Sequence, residues 1–176
     1  MKLDGKKVLM VIPHTQFRDE EFFEPKKVLE EEGAHVVVAS TAARMCRGMK
    51  GGAAQAGIAI ADAKADDYAG IVLCGGSSVP AVFWNDKKLQ ELVTAMSAAG
   101  KVIGAICLST VVLAKAKLLT DREATVYFLP EAIDALKEAG ARYVKETLLI
   151  HDNIILAEGP PDSQRFGQAI RSALAG

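Results

Sequence analysis

Unbroken apolar runs recur along the chain: KVLMVI at 7–12, HVVVA at 35–39, GIVLC at 70–74 and VIGAI at 102–106. None alternates with polar residues, which predicts strands covered on both faces, as in a parallel sheet. Helical spacing fills the intervals. Phe22 and Leu29 share a face before Gly33, with Pro25 expected in the first turn, where a missing N–H costs nothing. Leu89, Leu92, Val93 and Met96 make 86–99 an amphipathic helix ended by Gly100, and residues 108–116 can form another. Farther on, the pattern predicts an extended piece at 124–128, a helix from Pro130 to Ala139, and strands at 147–151 and 154–157 joined by a turn at Asp152-Asn153. A last helix carries Phe166, Ala169, Ile170, Ala173 and Leu174 on one face. Residues 41–57 break the rhythm with glycines, Arg44, Arg47 and Lys50, and read as an edge excursion with a short hairpin through Ile58 and Ile60. Cys46 is expected there on a solvated loop. The alternation of strand and helix predicts a three-layer α/β sandwich around a mostly parallel sheet.

The 176 residues fit one domain spanning 1–176, and with half of them hydrophobic they can bury a substantial core. A net charge of −1 offers no electrostatic footprint for nucleic acid or an anionic membrane, so a small-molecule partner is expected. No run approaches the roughly 18 apolar residues of a membrane span, and the apolar start is too short for a signal peptide. Cys46, Cys74 and Cys107 are odd in number without a pairing pattern, which fits free thiols in a reducing, cytoplasmic setting.

Candidate chemistry centres on Cys107. It falls where a buried strand meets a helix, with the small residues Ala105 and Ser109 two positions to either side. That is the spacing of a nucleophile elbow, with cysteine in place of serine. A free cysteine can also simply fill space. Gly75-Gly76 follows the third strand and has two readings: it relaxes a tight turn, or it exposes backbone N–H groups to an oxyanion. The polar stretch 14–21 lies at the carboxyl end of the first strand, where doubly wound folds build their sites. Within it, His14 is the one histidine placed to act as an auxiliary base, because His35 and His151 fall elsewhere. Cys74 is expected to pack in the core. No P-loop, G-x-G-x-x-G or zinc-ligand spacing is present, so neither cofactor nor metal is expected.

FRDEEFFEP entering the first helix, CGG after the third strand, AIC at the elbow and EATVY downstream together resemble the ThiJ/PfpI superfamily. The resemblance implies a flavodoxin-like sheet of order 2-1-3-4-5, a nucleophilic cysteine, and a homodimer or larger homo-oligomer. Activities in that superfamily include peptidases, cofactor-independent glyoxalases, protein deglycases, hydratases and redox-responsive chaperones. Cys107 matches the family nucleophile, and Glu21, four residues before Pro25, matches the glutamate that hydrogen-bonds to it. Gly75 and Gly76 match the backbone that faces the substrate oxygen, and Tyr127 lies where members carry histidine or tyrosine. Tyr127 can orient a substrate through its hydroxyl or merely pack. Two positions depart from the family pattern. Leu108 stands where peptidase-like members carry a histidine, and Arg18 replaces a second acidic residue.

With that sheet order, Glu21 must lean across roughly 10 Å, two strand spacings, to reach the sulfur. The positive end of the following helix is worth at most about 2 kcal/mol to a thiolate, which lowers its pKa by only about one unit. A Glu21 kept protonated by burial could donate to sulfur and shuttle a proton, whereas an ionised Glu21 would repel the thiolate. Arg18 could pair with Glu21 and hold it ionised, face the cleft, or lie in solvent. The leading expectation is a cofactor-independent cysteine enzyme acting on small carbonyl compounds. The rivals are an intracellular cysteine peptidase, which Leu108 disfavours, and a non-enzymatic sensor whose Cys107 is oxidised.

Overall fold

A computed structural model describes residues 1–176. In chain order the elements are β1 Lys7–Val11, β2 Thr15–Phe17, α1 Asp19–Glu31, β3 His35–Ser40, β4 Met45–Gly48, β5 Ala53–Gln55, β6 Ile58–Ala59, β7 Gly70–Leu73, α2 Val79–Val82, α3 Lys87–Ala98, β8 Val102–Ile106, α4 Thr110–Lys115, β9 Glu123–Ala124, α5 Pro130–Glu138, β10 Arg142–Tyr143, β11 Leu148–His151, β12 Ile154–Ala157 and α6 Ser163–Ala175.

The main sheet runs β11-β12-β8-β7-β1-β3-β6. Its central order, β3-β1-β7-β8-β12, is the expected 2-1-3-4-5, and every pairing in it is parallel. Only β11 is antiparallel, closing the hairpin at Asp152-Asn153. Helices α1 and α6 pack together on one face, while α3 and α4 cover the other. The result is the flavodoxin-like α/β sandwich, and the apolar runs of β1, β7 and β8 are buried along it because both faces are covered. No helix is long and apolar enough to cross a membrane.

Three local expectations change. Pro25 lies in the interior of α1, because that helix already begins at Asp19. It supplies no N–H to the carbonyl of Glu21, and its ring and backbone instead form the close seat for α6: a Cβ on Gly167 would lie 2.8 Å from Pro25 Cα. The segment after the first crossover is not a loose excursion. It forms a β4-β5 hairpin that joins β2 in a small separate sheet, and β6 then adds to the edge of the main sheet. Cys46, expected in solvent, is the fully buried residue of that hairpin, on β4 opposite Ala54. Finally, the piece expected at 124–128 is strand only at Glu123–Ala124, which pairs with β10.

Candidate active site

Strands β1, β7 and β8 end side by side, and their carboxyl ends supply the site. β1 leads through His14 and β2 into α1. An isolated antiparallel bridge between Phe17 and Gly76 straps this entry to the end of β7, with the Arg18 N–H donating to the Gly75 carbonyl at 2.9 Å. α1 begins one residue later. Three acidic residues fill its first turn, where the unpaired N–H groups favour negative charge. Asp19 uses that position differently: its two carboxylate oxygens accept from the N–H groups of Lys50 and Gly52, each at 2.8 Å, and pin the hairpin tip against the helix.

Cys107 follows β8 with φ of +63°, in the left-handed region that costs a non-glycine residue roughly 1–2 kcal/mol. The conformation turns the side chain out of the strand direction, as the elbow spacing predicted. Neighbouring contacts hold it. Trp84 Nε1 donates to the Leu108 carbonyl at 2.8 Å, and Ser109 Oγ donates to the Cys74 carbonyl at 2.7 Å. The chain then makes a 3-10 turn over Cys107–Ser109 before the six residues of α4. So short a helix makes the expected dipole contribution to a thiolate smaller still.

Glu21 does reach the sulfur, and Gly75 is the reason. Gly75 lies two residues past the end of β7, the middle strand of the three, between the helix that carries the acid and the elbow that carries the thiol. A Cβ there would overlap Glu21 Oε1 and sit 2.6 Å from Cys107 Cβ and 3.2 Å from Cys107 Sγ. The space left by the missing side chain is where acid and thiol meet.

The electrostatics of this pair follow from burial. Glu21 is fully buried, no basic group forms a salt bridge to it, and neither oxygen has a well-aligned hydrogen-bond partner. Burial therefore pushes its carboxyl up to about 8, against the opposing pull of the Cys107 thiol, the Gly75 N–H and the Arg18 charge. Burial also pushes the Cys107 thiol up, charge on Glu21 adds to this, and the Leu108 N–H and Arg18 oppose it. The resting pair thus holds its protons. A strongly acidic free thiolate is not what this environment favours; loss of one proton leaves either thiolate beside acid or thiol beside carboxylate, two drawings of one charge state.

Arg18 does not neutralise Glu21. Its Nε and Nη2 both contact Glu20 Oε2 at 2.9 Å, and Lys50 Nζ reaches the same oxygen at 3.4 Å. Burial works against ionisation of Glu20, but the Arg18 hydrogen bond, a backbone N–H and the charges of Arg18 and Lys50 together outweigh it and hold its carboxyl below the usual range.

A cavity of about 130 Å³ opens over Cys107 and is lined by Arg18, Met49, Gly76, Ser77, Leu108, Tyr127 and Pro160. Cys107 is only 6 % exposed, so a reagent meets the sulfur through this opening. Of the residues singled out in the sequence, the cavity gathers Arg18, Gly76, Cys107, Leu108 and Tyr127. Gly75 lies behind them, with its N–H toward Glu21. His14 does not line the cavity; its carbonyl accepts from the Arg47 N–H and its Nδ1 is buried without a partner. Met49, Ser77 and Pro160 escaped the sequence reading. Ser77 could have been suspected from its place after the glycine pair. Met49 and Pro160 arrive from a hairpin tip and a helix entry far along the chain, with no local signal. No group of three or more His, Cys, Asp or Glu side chains comes together in a metal-binding arrangement.

The model of the DJ-1/PfpI family matches residues 6–173. An uncharacterized protein of Methanocaldococcus jannaschii is 45 % identical over 98 % of this chain and 84 % of its own length. A protein of Pyrococcus abyssi named a deglycase is 29 % identical over 88 % of this chain and 91 % of its own. Among solved structures, a ThiJ/PfpI domain protein from Brachyspira murdochii superposes with a TM-score of 0.91 at 26 % identity, covering 97 % of both chains. With the elbow, the glycine pair and the buried glutamate in their expected places on the expected sheet, the chain belongs to the DJ-1/PfpI family.

Proposed function

We propose that this protein is a cofactor-independent cysteine enzyme acting on small carbonyl compounds, with Cys107 as nucleophile and Glu21 as proton carrier. The observation that carries this reading is the meeting of a buried, salt-bridge-free Glu21 and a left-handed Cys107 in the space vacated by Gly75. A carboxyl held near 8 exchanges protons in both directions close to neutral pH, which is what a shuttle requires. The deglycase name of the Pyrococcus relative is consistent with chemistry at a small carbonyl adduct.

On a 2-oxoaldehyde the steps are as follows. The reacting form is the pair that has lost one proton: as Cys107 Sγ bonds to the aldehyde carbon, the thiol proton passes to the Glu21 carboxylate and then to the former carbonyl oxygen, giving a thiohemiacetal. Gly76, whose backbone lines the cavity, faces the oxygen on which charge develops. Glu21 then removes the proton from the same carbon and returns it to the neighbouring carbon, while the hydroxyl proton of the first passes to the oxygen of the second, so that the first is oxidised to a thioester and the second reduced to an alcohol. Water cleaves the thioester to a 2-hydroxy acid and frees the thiol. No external oxidant or reductant enters the balance.

The small cavity and Leu108 both favour this reading over a peptidase, which needs an extended cleft and a base beside the sulfur. A cytoplasmic location and assembly as a homodimer or larger oligomer belong to the same proposal. Lactate formation from methylglyoxal is the direct assay. The proposal requires turnover that is lost in Cys107→Ala; peroxide-dependent modification of Cys107 without turnover would replace it with the sensor reading.

A further inference from the structure

Arg18 is one of two cavity residues that depart from the family pattern, with Leu108, and its surroundings give it a use. The Phe17–Gly76 bridge fixes its backbone against the glycine turn, so the guanidinium is held at the cavity rather than swinging free at a helix entrance. Its bonds to Glu20 are made through Nε and Nη2 alone, and the Nη1 N–H groups have no protein acceptor. The Glu20 carboxylate is moreover shared between Arg18 and Lys50, so one negative charge serves two positive ones. Asp19, the remaining acid of this turn, directs both oxygens to the hairpin N–H groups. The guanidinium is close enough to Cys107 and Glu21 for their charges to act on it. A cavity of about 130 Å³ takes up roughly four water volumes, the size of a molecule with about five non-hydrogen atoms.

We propose that Arg18 is a specificity-determining residue that favours capture of aldehydes bearing a carboxylate next to the reacting carbon. The carboxylate accepts hydrogen bonds from the free Nη1 edge of the guanidinium while Cys107 Sγ bonds to the adjacent aldehyde carbon and the thiol proton passes to its oxygen, giving a thiohemiacetal. This rests on Cys107 being the nucleophile of the proposed function, and it adds a ligand class to that reading. A carboxylate carbon cannot be reduced as a ketone carbon is, so such an aldehyde is held as the thiohemiacetal and competes with the neutral 2-oxoaldehyde of the assay above.

The charge preference of the cavity can be read without turnover, by comparing alkylation of Cys107 by iodoacetate and iodoacetamide at pH 8. The two reagents differ little in size, each forms a sulfur–carbon bond with loss of iodide, and only one is anionic. Any general change in thiol ionisation alters both rates together and cancels in their ratio. Arg18→Gln is expected to lower the iodoacetate-to-iodoacetamide ratio about tenfold, Arg18→Lys to restore part of it, and Glu20→Gln to raise it by releasing the guanidinium. Glyoxylate is expected to protect Cys107 from iodoacetamide at lower concentration than glyoxal in the native protein, and to lose that advantage in Arg18→Gln. A ratio that stays unchanged in both Arg18→Gln and Glu20→Gln overturns the role of Arg18 while leaving Cys107 as nucleophile. Failure of both reagents to label Cys107 overturns the role of Arg18 and the proposed function together.

Discussion

Cys74 and Cys107 end adjacent parallel strands, and both sulfurs are buried, yet the backbone treats them oppositely. Cys74 continues the ladder of β7: its N–H donates to the Val11 carbonyl at 3.0 Å and its carbonyl accepts from Ser109 Oγ, so its side chain stays within the packed sheet. Burial, with the charge of Glu21 adding to it, pushes that thiol well up, and no opening reaches it. Cys107, at the end of β8, leaves the extended region for φ of +63° and faces a cavity and a carboxyl that has no other partner. Reactivity here is set by two residues of backbone and one missing side chain, not by the presence of a cysteine or by burial alone.

The largest effect is expected from removing the sulfur on one side of this comparison. Cys107→Ala should lower turnover of methylglyoxal by about 10³-fold or more, down to the background of the pocket, with the fold retained by circular dichroism. Gly75→Ala comes next, because the added Cβ forces Glu21 and Cys107 apart. A loss of about 10²-fold in turnover is expected, with about 1–3 kcal/mol of stability from overpacking in denaturant titrations.

Glu21→Gln separates the shuttle from the nucleophile and should cost about 10²-fold in turnover. It also has a signature in stability. The Glu21 carboxyl is raised in the folded protein to about 8 from 4.5, so between those values the native state keeps a proton that the unfolded chain has lost. Native stability should therefore fall by roughly 3–5 kcal/mol as pH rises from about 4.5 to about 8 and level off above, and this fall should be absent in Glu21→Gln. Stability measured across that range in both proteins checks the sign; a wild-type profile that rises or stays flat would place a charged, partnered Glu21 in the folded state. The smallest effect is expected from Cys74→Ala, a core truncation costing about 1 kcal/mol with turnover preserved.

The contrast between the two cysteines was half legible in the chain. GIVLC and VIGAIC read as buried strands because continuous apolar runs leave few alternatives, and the small residues around Cys107 announced a sharp turn. Which cysteine lies behind which glycine depends on strand order, and that order came from resemblance rather than periodicity. Other parts carried no periodic signal. β2 is three residues long and buries only Phe17, and the β4-β5 hairpin presents mostly exposed residues and buries only Cys46 fully. A hairpin that owes its position to Asp19 accepting two backbone N–H groups from over thirty residues away cannot be seen in a window of local sequence. Pro25 misled for a related reason: the helix begins earlier than a proline in its first turn would suggest, and contact with α6 compensates for the missing hydrogen bond.

The account is tested most directly by treating the native protein with one equivalent of iodoacetamide at a series of pH values and mapping the label by mass spectrometry. The expected label is at Cys107, with a rate that rises as pH passes through about 8, when the Glu21–Cys107 pair loses its first proton, and with Cys46 and Cys74 unmodified. Label spread among the three cysteines, or a Cys107 that stays inert up to the pH at which the fold is lost, would contradict it.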